Sequence, residues 1–271
     1  LDPTMLRNPL LRGGLIAFLF QFLLQAGLFF CVPLYLSVAL GLSAVETGVR
    51  ILPLSVTLML AAVGIPKVWP HASPRRVARL GFFALLAGIV SLMGALEIGA
   101  GPEVVTVPLL LAGLGIGALA SQLGAVTVSS VPDEQSPEVG GLQNTFTNLG
   151  ASIGTALAGA ILVSALTSSF LTGIQYNPQI PETLTSQAQV ELAGGIQFIP
   201  DAALEESLAE AGITGETADA IVEENTESRL AGLRAALAAL ALLALAALFS
   251  PGTPPTRQMG ADVDEPAPEL T

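Results

Sequence analysis

Six apolar stretches, each near the roughly 20 residues that cross a bilayer as helix, run through this chain of 271 residues. No other feature limits the fold as much. Hydrocarbon offers no hydrogen-bond partners, so a spanning backbone must pair its own N–H and C=O groups. Long apolar runs do so as helices. A transmembrane β-barrel would alternate apolar and polar residues over short strands, and these runs do not alternate. The expected class is an all-α membrane protein with six transmembrane helices forming one bundle. Mean hydropathy is +0.69. The charged fraction is 12%, against about 25% in soluble domains, which excludes most soluble classes.

The spans are placed near 11–38, 45–66, 75–97, 103–130, 138–166 and 228–249. Residues 1–166 thus hold the first five, and 228–250 the last. Ser43 and Glu46 form a capping box before span two. Ser73 before Pro74, and Ser136 before Pro137, read as N-caps with proline at the first helical position. The chain opens on Leu1 and a polar lead-in, so it is expected to be the back half of a longer polytopic protein. Residues 251–271 carry Pro254, Pro255, Pro266 and Pro268, and are expected to form a disordered cytoplasmic tail.

The net charge of −12 is concentrated in one place. Eleven acids between Glu182 and Glu227, with no Lys or Arg among them, lie in the polar segment 167–227. Nucleic-acid binding has no basic patch to use. Within that segment Asp201 is expected to cap a helix over 202–211, with Leu204 and Leu208 on one face and Gly212 ending it. Thr214 is expected to cap a second helix that runs into the last span. The segment reads as a small solvated cap, with substrate gating as the alternative.

Lys and Arg set the orientation. Arg7, Arg12, Lys67, Arg75, Arg76, Arg79 and Arg257 fall on one side, and Arg50, Arg229 and Arg234 on the other. This excess puts both termini and the basic loop of Lys67, Arg75, Arg76 and Arg79 in the cytoplasm of a multi-pass plasma-membrane protein. The acidic segment is then outside.

Polar side chains are unevenly spread over the spans. Gln21 and Gln25 share a face of span one. Asn144, Asn148, Ser152 and Thr155 form one stripe on span five. Gln122, Ser121, Thr127 and Ser129 lie on span four, and Ser55 and Thr57 on span two. Spans three and six are nearly bare. Polar groups in hydrocarbon must face a partner helix or water. Spans one, two, four and five are therefore expected to line a polar cavity, and spans three and six to face lipid. The alternative is that the amides only tie helices together.

Gly113 with Gly117, and Gly150 with Gly154, are Gly-x-x-x-Gly pairs expected at close helix contacts. The run Gly113-Leu114-Gly115-Ile116-Gly117 fails as a dinucleotide loop, because Ala118 stands where the last glycine belongs and no soluble strand precedes it. Glu46 is most simply a capping carboxylate. His71 stands alone, so no metal is expected. Cys31 permits no internal disulfide. No spacing of Ser, His, Asp or Cys suggests catalysis, and no cofactor is implied; the chain is expected not to be an enzyme.

Four stretches carry a family likeness. They are Pro33-Leu34-Tyr35-Leu36 with Gly41-Leu42-Ser43-Ala44, Gly48 and Leu52-Pro53; Gly64 to Gly81 with Pro74-Arg75-Arg76; span four ending in Val131-Pro132; and Gly140-Gly141-Leu142-Gln143-Asn144-Thr145 through Asn148-Leu149-Gly150 and Gly154. On these the chain resembles the C-terminal half of a major facilitator superfamily transporter of the 14-helix drug:proton antiporter group. The resemblance implies nested three-helix repeats around a midplane path. It also implies a missing N-terminal half as partner, protons as coupling ion and efflux of drugs or amphipathic small molecules. A long outer loop before the last helix fits that group. The acidic residue usual in the group's basic loop is absent from Lys67-Val68-Trp69-Pro70-His71. Gln21, Gln25, Tyr35, Gln122, Asn144 and Asn148 are the candidate path residues. The alternative is a non-transporting scaffold or receptor that retains the fold.

Overall fold

A computed structural model of the chain describes residues 3–132, 135–192 and 194–249. Eight α-helices and no strand occur among the described residues. They are α1 (Pro9–Leu34), α2 (Ala44–Val68), α3 (Pro74–Ala95), α4 (Thr106–Val128), α5 (Ser136–Tyr176), α6 (Glu182–Glu191), α7 (Asp201–Glu210) and α8 (Glu216–Phe249). Six are long and apolar enough to cross a membrane: α1 to α5 and α8. The chain is thus a multi-pass, all-helical membrane protein.

Local signals start the helices. The Asn8 side-chain oxygen accepts from the N–H groups of Leu10 and Leu11, with Pro9 at the first helical position. The Asn8 amide also donates to the Ser130 carbonyl at 2.7 Å, tying the start of α1 to the end of α4. The capping box of Ser43 and Glu46 forms as expected. Ser73 holds the N-cap position of α3, but its hydroxyl makes no capping bond and is buried without a partner among the described residues. Gln135, not Ser136, is the N-cap of α5, and Ser136 is its first helical residue. After Pro33 the first span changes pitch to a π-helical turn over Tyr35–Ala39, a form that occurs as single turns.

The spans pack in two layers. α2, α4, α1 and α5 lie side by side in that order, while α3 sits behind α4, and α8 behind α5 and α1. Leu24, Leu28, Leu85, Ile89, Leu119, Leu237 and Leu240 are fully buried between the layers. Hydrophobicity cannot drive this assembly inside lipid, so close packing must. The glycines supply it. A Cβ on Gly113 or Gly117 would strike the Leu54 or Leu58 carbonyl of α2, and one on Gly150 or Gly154 would strike the Leu19 or Leu23 carbonyl of α1. Gly115 instead faces α3, where a Cβ would come within 2.6 Å of the Gly81 oxygen and the Leu85 nitrogen.

Two span boundaries differ from expectation. α5 continues to Tyr176 rather than stopping at 166, and α8 begins at Glu216 rather than 228. Both run out of the apolar zone because Phe170 and Ile174 on α5, and Ala220 and Ile221 on α8, bury a second small core. Helix α6 was not expected at all; it packs on α5, as α7 packs on α8. Asp201 does not cap α7. Pro200 holds that position, and Asp201 is the first helical residue. Gly212 ends α7 with φ +76, a conformation open to glycine at no steric cost. Thr214 does not cap α8 either: the Gly215 carbonyl accepts the first helical bond, from the Asp219 N–H. The tail at 251–271 lies outside the described residues.

Candidate substrate-path face

The two ends of the row are its most open parts. α2 is the least covered span, and Val49, Leu52, Val56, Met59, Leu60 and Val63 are all exposed on it. At the other end, α5 exposes Asn144, Asn148, Ser152 and Thr155 along one stripe. The Asn148 amide donates to the Asn144 carbonyl at 2.9 Å and to the Asn144 side-chain oxygen at 3.1 Å. Both bonds stay within α5, so these amides do not tie helices together in this bundle. Gln143, one residue earlier, does. It donates across to the Gly124 carbonyl at 3.3 Å and to the Thr127 hydroxyl of α4. Its role was legible in retrospect, because Gln143, Gly150 and Gly154 share the packing face of the helix.

The other candidates are set deeper. Gln21 and Gln25 follow Gly14 at helical spacing, and Gly14 abuts Thr127 of α4. Both glutamines therefore turn toward the middle of the row. Gln21 is buried, and among the described residues its side-chain oxygen has no hydrogen-bond partner; Gln25 is half-buried. Tyr35 is buried, and its hydroxyl also lacks a partner among the described residues. Gln122 lies two turns from Gly115, on the side of α4 that packs against α3, and its amide donates to the Ser121 hydroxyl at 3.4 Å. No hydrogen bond joins Gln21, Gln25, Tyr35 and Gln122 to one another among the described residues. The structure thus unites Asn144 and Asn148 on an open face and leaves the remaining four in separate settings.

The cap outside the bundle is anchored by a buried charge that the sequence did not flag. Arg229, 1% exposed, donates to the Ile199 carbonyl at 2.8 Å and to Asp201 at 2.5 Å. Asn225 and Thr226 also donate to Asp201. This latch fixes the start of α7 to α8. A cavity of about 510 Å³ lies between α6 and α7, lined by Phe170, Ile174, Leu184, Leu204, Leu208 and Ile221 among others. Among the described residues no three His, Cys, Asp or Glu side chains gather as a metal site.

The chain is a six-span bundle with a four-helix row and two backing helices. The family model described as Major Facilitator Superfamily matches residues 3–155. The chain belongs to that superfamily. It is 32% identical over 162 residues to the tetracenomycin C resistance and export protein of Streptomyces glaucescens, covering 60% of this chain and 30% of that protein. It is 25% identical over 199 residues to the lincomycin resistance protein LmrB of Listeria monocytogenes, covering 73% and 40%. It is 27% identical over 128 residues to the multidrug efflux pump SdrM of Staphylococcus aureus, covering 47% and 28%. The chain therefore spans well under half the length of these relatives.

Proposed function

We propose that this chain is the C-terminal bundle of a secondary transporter that exports drugs or other amphipathic small molecules, with protons as the coupling ion, by alternating access. The open α5 stripe carries the proposal. Four polar side chains stand exposed on a span whose opposite face is closed by glycine packing. Such a stripe is costly against lipid and is satisfied by a watery path or a second bundle. The names of the relatives support efflux. Asn144 and Asn148 form the path wall; Gln21, Gln25, Tyr35 and Gln122 are set back. Coupling acids are assigned to the other half, because the acids bordering α2 to α5 in this chain, Glu46, Glu97, Glu103 and Glu138, all sit at or beside helix ends. Two bundles then rock about the shared midplane site, each ligand favouring the state that it binds better. Both termini and the basic loop face the cytoplasm of the plasma membrane, and the α6–α7 cap faces outward.

The test is efflux by the full-length protein carrying Asn144→Leu or Asn148→Leu. Several compounds are measured and normalised to membrane abundance. A path residue changes the substrate range at constant abundance. Uniform loss across all compounds in step with abundance would reject the path assignment. Absence of flux from sealed vesicles holding the intact wild-type protein would leave a scaffold.

A further inference from the structure

A second cavity, of about 320 Å³, opens between α2, α3 and α4 at the end of the bundle away from the cap. At about 30 Å³ per water-sized group it accommodates roughly ten heavy atoms. Its walls are Ile65, Trp69, Val77, Leu80, Phe83, Ala84, Leu114 and Ala118, with almost no polar surface. Trp69, Leu80, Phe83 and Leu114 are 45–59% exposed, so the slot is open on its outer side.

Cations stand over its mouth. Arg76, Leu80 and Phe83 follow the i, i+4, i+7 spacing of one α3 face. Arg79 is the i+3 neighbour of Arg76 on that surface. Lys67 lies two residues beyond Ile65, at the end of α2. Arg76, Arg79 and Lys67 are all exposed. Seven residues at about 1.5 Å each put Arg76 roughly 10 Å above Phe83 along the helix. No acidic residue occurs between Glu46 and Glu97, so neither α2 after its first turn nor α3 itself carries a counter-charge. Trp69, the C-cap residue of α2, is itself one wall of the slot, and tryptophan is favoured at the bilayer interface.

A dry slot below paired guanidinium groups matches one kind of molecule: an acyl chain carrying a phosphate. Basic pockets between spans hold anionic lipid head groups, and arginine recognises phosphate through two parallel N–H bonds. We infer that this slot is a binding site for an anionic phospholipid, with one chain along Leu80, Phe83 and Leu114 and the phosphate at Arg76 and Arg79. The site is independent of the transport reading. It implies that the lipid stays with the bundle as a selected ligand instead of exchanging as bulk bilayer.

Trp69 is the only tryptophan in this chain, so once any tryptophan of the other half is replaced by phenylalanine, its fluorescence reports this slot. The protein is placed in phosphatidylcholine bilayers doped with either chain-brominated phosphatidylglycerol or chain-brominated phosphatidylcholine. Bromine quenches tryptophan on contact. The brominated anionic lipid should reach half-quenching at a several-fold lower mole fraction than the brominated zwitterionic one. Arg76→Gln with Arg79→Gln should bring the two curves together, whereas Arg76→Lys with Arg79→Lys should keep part of the excess. Ala84→Phe, which fills the slot, should also remove it. Superimposable curves in the wild-type protein overturn the inference, and this arm decides the matter if a variant does not insert. An excess that survives the glutamine pair, or that millimolar inorganic phosphate abolishes, overturns it as well.

Discussion

Replacing Gly154 by alanine tests the packing logic most directly. A Cβ there would lie 2.8 Å from the Leu23 carbonyl carbon and 2.9 Å from its Cα, and would also strike the carbonyl oxygen. All three are backbone atoms of α1, so no rotamer change relieves the clash. Ordinary contact begins near 3.4 Å, so α5 must withdraw by at least about 0.6 Å from the carbonyl carbon alone. A gap of that size forfeits about a quarter or more of each dispersion well along the seam. Overpacking of this kind costs about 1–3 kcal/mol, against a gain of about 1 kcal/mol from alanine's helix propensity. A net loss of up to about 2 kcal/mol is expected. Gly141 is the internal control: it is on the same helix, is exposed, and a Cβ there would meet nothing within 4 Å. Gly141→Ala should therefore leave stability unchanged or raise it. Cys31, the only cysteine and buried in α1, supplies the assay. A thiol-reactive fluorophore reads its exposure as the protein is heated in detergent. The midpoint should fall for Gly154→Ala and not for Gly141→Ala. Equal midpoints for the two variants would refute the reasoning.

Three further outcomes follow from the same contacts. Asp201→Ala leaves the buried Arg229 guanidinium with the Ile199 carbonyl and Thr226 only; a loss of about 2 kcal/mol is expected, with faster proteolysis within residues 194–200, while cleavage no faster than in the wild type would refute the latch. Ser43→Ala with Glu46→Ala removes the capping box and should destabilise the start of α2, read as a lower unfolding midpoint in the Cys31 assay. Gln21→Leu removes a buried amide whose oxygen has no partner among the described residues and should be neutral or stabilising by about 1 kcal/mol in the isolated bundle; marked destabilisation would mean that the amide is bonded.

The sequence by itself determined the class, the number of spans and the starts of the first five to within about three residues. Those depend on local or one-dimensional facts: the length of an apolar run against a fixed bilayer thickness, and residues such as Ser43, Glu46 and Pro74 that act on the next turn of chain. The glycine pairs were also legible, because only a residue without a side chain gains from a backbone approach, and their spacing gives the face. Tertiary structure decided where helices end and which polar groups stay open. α5 and α8 pass the expected limits because Phe170, Ile174 and Ile221 find partners on α6 and α7, which no periodicity within α5 or α8 encodes. Gln143 and Asn144 are adjacent amides of similar chemistry. One crosses to α4 and the other stays exposed, because 100° of helical rotation puts them on different sides of a packed seam. Arg229 looked like a loop charge until α7 folded back to bring Asp201 within 2.5 Å of it. A sequence states which groups need partners; the packing of helices far apart in the chain determines which of them find one.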